Sequence, residues 1–214
     1  MSTTRHPLRS IFSSSAWGIA FLLSAQADTW SRKNDVAYNG WDGPLIGNWA
    51  TAFGVGDKGY VIGIDSTLWA YEPTADQWTA RGKFPGNVTG HVACGIGDRG
   101  YVCRLSAPIT TWEYDPATDT WTTKSPFPGA ARTAATGFGL NGKGYVGTGR
   151  SGTAASLADF WEFDPVGNTW TQKANYPIPR ENALSFTAGG KGHIARGHTI
   201  NSTYNTLYAY DPAT

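Results

Sequence analysis

Charge is scarce in this chain, and neither sign dominates. Asp, Glu, Lys and Arg make up 15% of the 214 residues and leave a net of +1. That balance excludes the basic surface a nucleic-acid partner demands, and there is no long basic run or acidic tail. Past residue 27 no apolar stretch is long enough to cross a bilayer. Metal-ligand spacings, Gly-rich phosphate loops and a G-x-S-x-G nucleophile elbow are also missing, so no cofactor and no metal are expected. What the chain does hold is 27 glycines and 14% aromatic residues. This composition argues for sheet and tight turns over a helical bundle.

The first 27 residues stand apart. MSTTRHPLRS carries Arg5 and Arg9 without an acid, Ala16 to Leu23 is apolar or small, and Ala25-Gln26-Ala27 forms an A-x-A site. This reads as a secretory signal peptide, residues 1–27, cut before Asp28. The run from Ala16 is too short for a hydrocarbon core of roughly 30 Å, which disfavours a membrane anchor. The expected location is secreted, periplasmic or cell-surface.

A repeat organises the remainder. FGVGDKGYVIG (Phe53 to Gly63), CGIGDRGYVCR (Cys94 to Arg104), FGLNGKGYVGT (Phe138 to Thr148) and FTAGGKGHIAR (Phe186 to Arg196) align, with their Lys/Arg-Gly pairs 41, 44 and 48 residues apart. Each is followed by an aromatic run ending in proline: LWAYEP, TWEYDP, FWEFDP and LYAYDP. Trp78, Trp121 and Trp170 then follow at a constant distance. Each unit reads as four strands, a to d. Asn141-Gly142 signals a type I′ turn between a and b, and the acid-proline step breaks c from d. Repeated four-stranded antiparallel units of this length define an all-β chain built as a β-propeller. Small residues such as Ala134, Ala135, Gly137, Ala183 and Ser185 suit a strand a nearest the axis. The recurring Trp and Tyr positions, with His193 in a tyrosine register, suit packing.

Glycine before a Tyr-Val strand, Tyr-Asp-Pro before a spaced Trp, and a Pro-rich exit with an occasional Arg resemble the kelch repeat. The resemblance is to exported bacterial kelch proteins with galactose-oxidase-like repeats, and it covers nearly all of residues 28–214. The usual Gly-Gly after strand b becomes Gly63-Ile64, Arg104-Leu105, Thr148-Gly149 and Arg196-Gly197. The blades span about 47–84, 88–127, 132–176 and 180–214 plus 28–34. The last assignment rests on a seam: Tyr210 to Thr214 followed by Asp28 to Trp30 spells YDPATDTW, identical to Tyr114 through Trp121. The expectation is a four-bladed ring in which the N-terminal strand closes the C-terminal blade. The alternative is a portion of a six- or seven-bladed propeller.

Cys94 and Cys103 flank the a–b turn of the second unit. If Asp98-Arg99 forms the loop they are directly opposite and within disulfide range. If Gly97-Asp98 forms it they are diagonal neighbours, usually too far apart. A disulfide and two buried apolar thiols both stay open.

Strand alternation puts the a–b and c–d turns on one face and the b–c and d–a connections on the other. The second set is longer and more varied, as in GRSGTAASLAD and RGHTINSTYN, and long loops on a rigid scaffold are where binding sits. Candidate ligand residues there are Trp41, Trp49, Arg104, Arg132, Arg150, Arg180, Glu181, Arg196 and His198. Arginine forks suit anions, and an exposed Trp suits a sugar face. The competing role for the arginines is to cap strand ends and pair with loop carbonyls, as the arginine after the Pro-rich exit does in kelch blades. The expected function is a monomeric binding or interaction module for a glycan or protein ligand, without catalysis. The resemblance also implies an alternative, a carbohydrate-active enzyme of the sialic-acid mutarotase or galactose-oxidase type. The latter needs copper held by tyrosines and histidines, and past residue 27 the only histidines are His91, His193 and His198.

Overall fold

The computed structural model describes residues 31–35, 51–87, 90–152 and 155–213. The chain divides into Met1–Arg32 and Lys33–Thr214. Of the first unit only Ser31 and Arg32 are described, both exposed and outside any strand, so the expected signal peptide lies outside the described residues.

In the second unit, four antiparallel sheets follow in chain order. The first holds β1 (Thr51–Val55), β2 (Lys58–Ile62), β3 (Leu68–Glu72) and β4 (Gln77–Arg81). The second holds β5 (His91–Ile96), β6 (Arg99–Arg104), β7 (Thr110–Asp115) and β8 (Thr120–Lys124). The third region begins with the short β9 (Arg132–Thr133) and continues through β10 (Thr136–Leu140), β11 (Lys143–Gly147), the short β12 (Arg150–Ser151), β13 (Phe160–Asp164) and β14 (Thr169–Lys173). There β10, β11, β13 and β14 form the sheet, while β9 and β12 pair separately. The fourth sheet holds β15 (Leu184–Ala188), β16 (Lys191–Ala195) and β17 (Leu207–Tyr210). Every strand pairs with its sequence neighbour in the sheet, and β1, β5, β10 and β15 pack one against the next. These sheets are the successive blades of a β-propeller.

The turns follow their residues. Gly56 and Gly97 supply the one positive φ of a type II′ hairpin, while Asn141-Gly142 and Gly189-Gly190 supply the two of type I′. At the other hairpin of each blade, the acid that ends strand c accepts an amide two residues on. Ala117 N donates to Asp115 at 2.8 Å, Val166 N to Asp164 at 2.9 Å and Ala213 N to Asp211 at 3.0 Å. These are Asx turns, the reason for the recurring Asp-Pro. The turn closes on a left-handed residue, Asp76, Asp119 or Asn168.

That left-handed residue also ties blade to blade. Gly82 N, at the exit of the first blade, donates to both Asp119 oxygens at 2.9 and 3.1 Å, and Tyr114 Oη donates to the same carboxylate at 2.7 Å. Ser125 N donates to Asn168 Oδ1 at 2.9 Å. The strand-d tryptophans complete the clasp, since Trp121 donates its indole N–H to Gly82 O and Trp170 to Ser125 O.

The apolar core lies between blades. Phe53, Tyr60, Trp112 and Tyr114 join the first and second blades. Ile96, Tyr101 and Phe163 join the second and third, and Phe138, Tyr145 and Phe160 pack with Ile194 from the fourth. Each buried aromatic of this kind contributes about 1.5–3 kcal/mol. Strand a comes so close to its neighbour that a Cβ on Gly95 would sit 1.9 Å from Gly54 O, and one on Gly139 2.0 Å from Gly95 O.

The expected pairing of the N-terminal strand with the fourth blade is not seen among the described residues. The fourth sheet has three strands among the described residues, and Ser31 to Asp35 are in no strand. Asn34 instead reaches the first blade. Its N donates to Asp76 Oδ1 at 3.0 Å and its Nδ2 to Asp76 O, while Trp78 donates to Asn34 O at 2.9 Å. Asn34 follows Trp30 by four residues, as Gly82 follows Trp78 and Ser125 follows Trp121. Asn34 therefore meets the first blade as Gly82 and Ser125 meet the blades that follow them.

Candidate functional site

The long b–c and d–a connections of the second, third and fourth blades converge on one face. At their centre is Glu181, just before β15, with only 3% of its side chain exposed. Arg150, from β12 in the third blade, reaches across to it with Nε 3.2 Å from Oε2, and His198 Nδ1 lies 3.7 Å from Oε1. Paired backbone bonds between Glu181 and His198 hold the two loops in register, and Gly149 N donates to Arg180 O at 2.7 Å. Asn182 Nδ2 stands 3.1 Å from His198 Nε2. Glu181 is thus a buried acceptor flanked by two basic side chains that remain 49% and 43% exposed. Beside Arg150 a cleft of about 290 Å³ opens between the second and third blades, walled by Ser106, Ala107, Arg132, Thr133 and Ser151.

Arg132 and Arg180 have another task. Arg132 is buried, gives Nε to Ala130 O at 2.9 Å and Nη1 to Thr148 O at 3.0 Å, and forks onto both Asp159 oxygens at 2.6 Å. Arg180 is fully buried and repeats the scheme on Ile178 O, Arg196 O and Thr206 Oγ1. Each guanidinium stacks on the aromatic within its Pro-rich exit, Phe127 at 4.9 Å and Tyr176 at 4.6 Å. A planar fork with five donors can tie a d–a connection to a b–c loop in this way. Burial would raise the Asp159 carboxyl, but hydrogen bonds from Arg132 and Trp161 and the charge of Arg132 outweigh it and hold it below its ordinary value. Of the two roles open for these arginines, both guanidinia take the structural one.

The remaining candidates divide. Arg104 holds the cleft wall, with Nε to Ser106 Oγ at 3.3 Å and Nη2 to Ala107 O at 2.9 Å. Arg196 is exposed with a left-handed backbone, as is the backbone of the equivalent Thr148. These two hold the first position of the former Gly-Gly pair, and Gly149 and Gly197 keep the positive φ at the second. Trp41 and Trp49 lie outside the described residues. Asn182 and Asp159 were missed by sequence reasoning. The signal for Asp159 was available, as the one acid in GRSGTAASLAD facing an arginine.

The cysteine register follows the diagonal alternative. Gly97-Asp98 is the turn, so Cys94 faces Tyr101 and Cys103 faces Val92. The disulfide is not formed, and both are free thiols. Burial pushes each thiol up to about 12, so neither is a ready nucleophile. Among the described residues no three His, Cys, Asp or Glu side chains converge to hold a metal ion, and no helix is long and apolar enough to cross a membrane.

No family model matches the chain, and no curated protein matches it in sequence. Its fold is shared by many solved structures. One of them, described as "Structure of YjhT", aligns with a TM-score of 0.63 at 17% identity. The match covers 78% of this chain and 66% of that one, just under two thirds of YjhT. At that identity the likeness shows the β-propeller fold alone.

Proposed function

We propose that this is an exported kelch-type propeller whose b–c and d–a loop face binds a polar ligand, a glycan or an oxygen-rich surface of a protein. The observation that carries this reading is Glu181. It is a buried carboxylate shared by Arg150 and His198 from different loops, in addition to the loop contacts that Arg132 and Arg180 make. It anchors two half-exposed basic side chains, of which Arg150 lines an open cleft with Ser106 and Ser151 at its wall. Mixed donors and acceptors on a preformed concave face match the hydroxyls of a sugar, and Arg150 suits a carboxylate on it. The scaffold is rigid because the arginine forks and the clasps fix the loops before any ligand arrives. The kelch assignment rests on the Tyr-Asp-Pro, Trp and Pro-rich-exit residues. Export rests on residues 1–27, and N-terminal sequencing of the mature protein should begin at Asp28.

A second reading is favoured by the distance between Glu181 and His198. An acid and an imidazole 3.7 Å apart could pass a proton through one bridging water, the chemistry a mutarotase needs. A glycan array tests the first reading, with retention of one or a few related sugars expected and uniform absence of retention against it. Mutarotation of a retained sugar, followed by polarimetry with Glu181→Gln as control, tests the second. A rate equal to that in buffer would remove the enzyme.

A further inference from the structure

The opposite face carries a position where the repeat leaves a charge unanswered. In the second blade, Tyr101 Oη donates to Glu113 Oε2, and Lys124 Nζ stands 2.9 Å from the same oxygen. The third blade repeats this with Tyr145 donating to Glu162 Oε2 at 2.8 Å and Lys173 Nζ at 3.2 Å. Tyrosine on strand b, glutamate opposite on strand c and a cation on strand d thus form one unit. The first blade keeps two of the three. Tyr60 pairs with Ala70 in the ladder where Tyr101 pairs with Glu113 and Tyr145 with Glu162. Arg81 pairs with Leu68 where Lys124 pairs with Thr111 and Lys173 with Phe160. The hydroxyl and the cation remain, and alanine stands in place of the carboxylate.

Nothing among the described residues takes its place. Arg81 Nε is buried without a hydrogen-bond partner. A buried donor left unmade is costly, the more so when it is charged. The other cations nearby are occupied, with Lys58 3.1 Å from Glu72, and Arg99 2.7 Å from Asp98 and 3.2 Å from Asp115. Tyr60 and Arg81 border a cleft of about 420 Å³ between the first and second blades, with Asp57, Lys58, Asp98 and Arg99 at its rim. Asp119 also faces the pair, but it is taken by Gly82 N and Tyr114 Oη.

The geometry points to a second ligand site on the turn face: the cleft at Tyr60 and Arg81 takes a carboxylate from outside the chain, in the role Glu113 and Glu162 play in the next two blades. The fragment that separates alanine from glutamate is a CH2COO⁻ group, so acetate is the smallest complete probe. The site owes nothing to Glu181, and its failure would leave the loop-face reading intact.

Two-dimensional NMR of the ¹⁵N-labelled protein, titrated with sodium acetate at ionic strength held constant with sodium chloride, reads the site directly. The Arg81 Nε–Hε resonance and the Gly82 amide shift saturably with acetate, with half-saturation in the millimolar range. Chloride alone produces no such curve. In Arg81→Gln the Gly82 response disappears, and in Tyr60→Phe half-saturation rises several-fold. A blocked tripeptide with a central glutamate tells the two sources of the carboxylate apart. Tighter binding than acetate assigns the site to a protein side chain, and equal or weaker binding assigns it to a small acid. A linear, non-saturating response in the wild type overturns the site, as does a response unchanged in both variants.

Discussion

Gly95 and Gly139 set how near the central strands come. At each, a single methyl group would strike the carbonyl of the neighbouring strand at 1.9 or 2.0 Å, with backbone that cannot rotate away. Gly95→Ala should therefore separate the first two blades and lower stability by about 1–3 kcal/mol or more, read by urea unfolding. An unchanged midpoint would mean that the strands are not so close. In the fourth blade Thr187 replaces this glycine, and Ser185 takes over the contact, accepting from Thr136 Oγ1 at 2.8 Å and donating to Gly137 O at 2.7 Å. His91 is a second residue whose setting has a measurable consequence. Burial, helped by the charge of Arg104, lowers its pKa from 6.5 to about 4, and neither ring nitrogen has a partner. The unfolded chain then binds a proton that the folded one refuses between those values. Stability is full above about pH 6.5 and falls as the pH drops toward 4. His91→Gln should flatten the stability profile over that interval, and parallel profiles for the two proteins would contradict the assignment.

The clasp is the device that matters at the level of the elements. One left-handed turn residue ends a hairpin, caps a tyrosine and accepts the amide of the blade before it. Asp119→Ala would strip acceptors from Tyr114 Oη and Gly82 N together, at a cost of about 1–3 kcal/mol for each partner left buried and unpaired. Chemical denaturation of the variant checks this, and a loss no larger than that of an exposed loop aspartate would refute the clasp. The strands and turns were legible in the sequence because each is written locally. Asn141-Gly142 dictates its turn type, and Asp-Pro dictates its Asx turn. The recurring Trp could be read as packing but not as a donor to the preceding blade, because its partners are backbone carbonyls, which every residue has. The same holds for the site. Arg132 and Arg180 looked identical to ligand-binding arginines, since a guanidinium spent on loop carbonyls leaves no trace in residue type. Glu181 was flagged with its neighbour Arg180, yet its partners are Arg150 and His198, brought to it by loops whose course no pattern encodes.

At the scale of the molecule the two ends of the blade series are unlike its middle. Phe53 lies over Gly100 and Phe138 over Gly192, each buried by the next blade. Phe186, the equivalent in the fourth blade, is 47% exposed, as are Leu184 and Leu207 at 61% and 55%, and among the described residues no side chain of another blade covers Gly59 in the first. Phe138→Ala should cost about 3–5 kcal/mol, while Phe186→Ala should cost far less. Thermal unfolding of both variants makes the comparison, and equal losses would show that Phe186 is covered in solution. Asn34 meets Asp76 and Trp78 as Gly82 meets Asp119 and Trp121. At the first blade the clasp is made by that blade's own Asp76 and Trp78 on Asn34, whereas β17 remains an edge among the described residues.

The account stands or falls on the loop face. Calorimetric titration of a glycan retained on the array, against the wild type and against Arg150→Ala and His198→Ala, addresses it most directly, because both side chains are half exposed on the loop face. Each substitution should weaken binding at least tenfold, about 1.4 kcal/mol, in protein whose unfolding stays cooperative. Affinity unchanged in both variants would contradict a site built on Glu181.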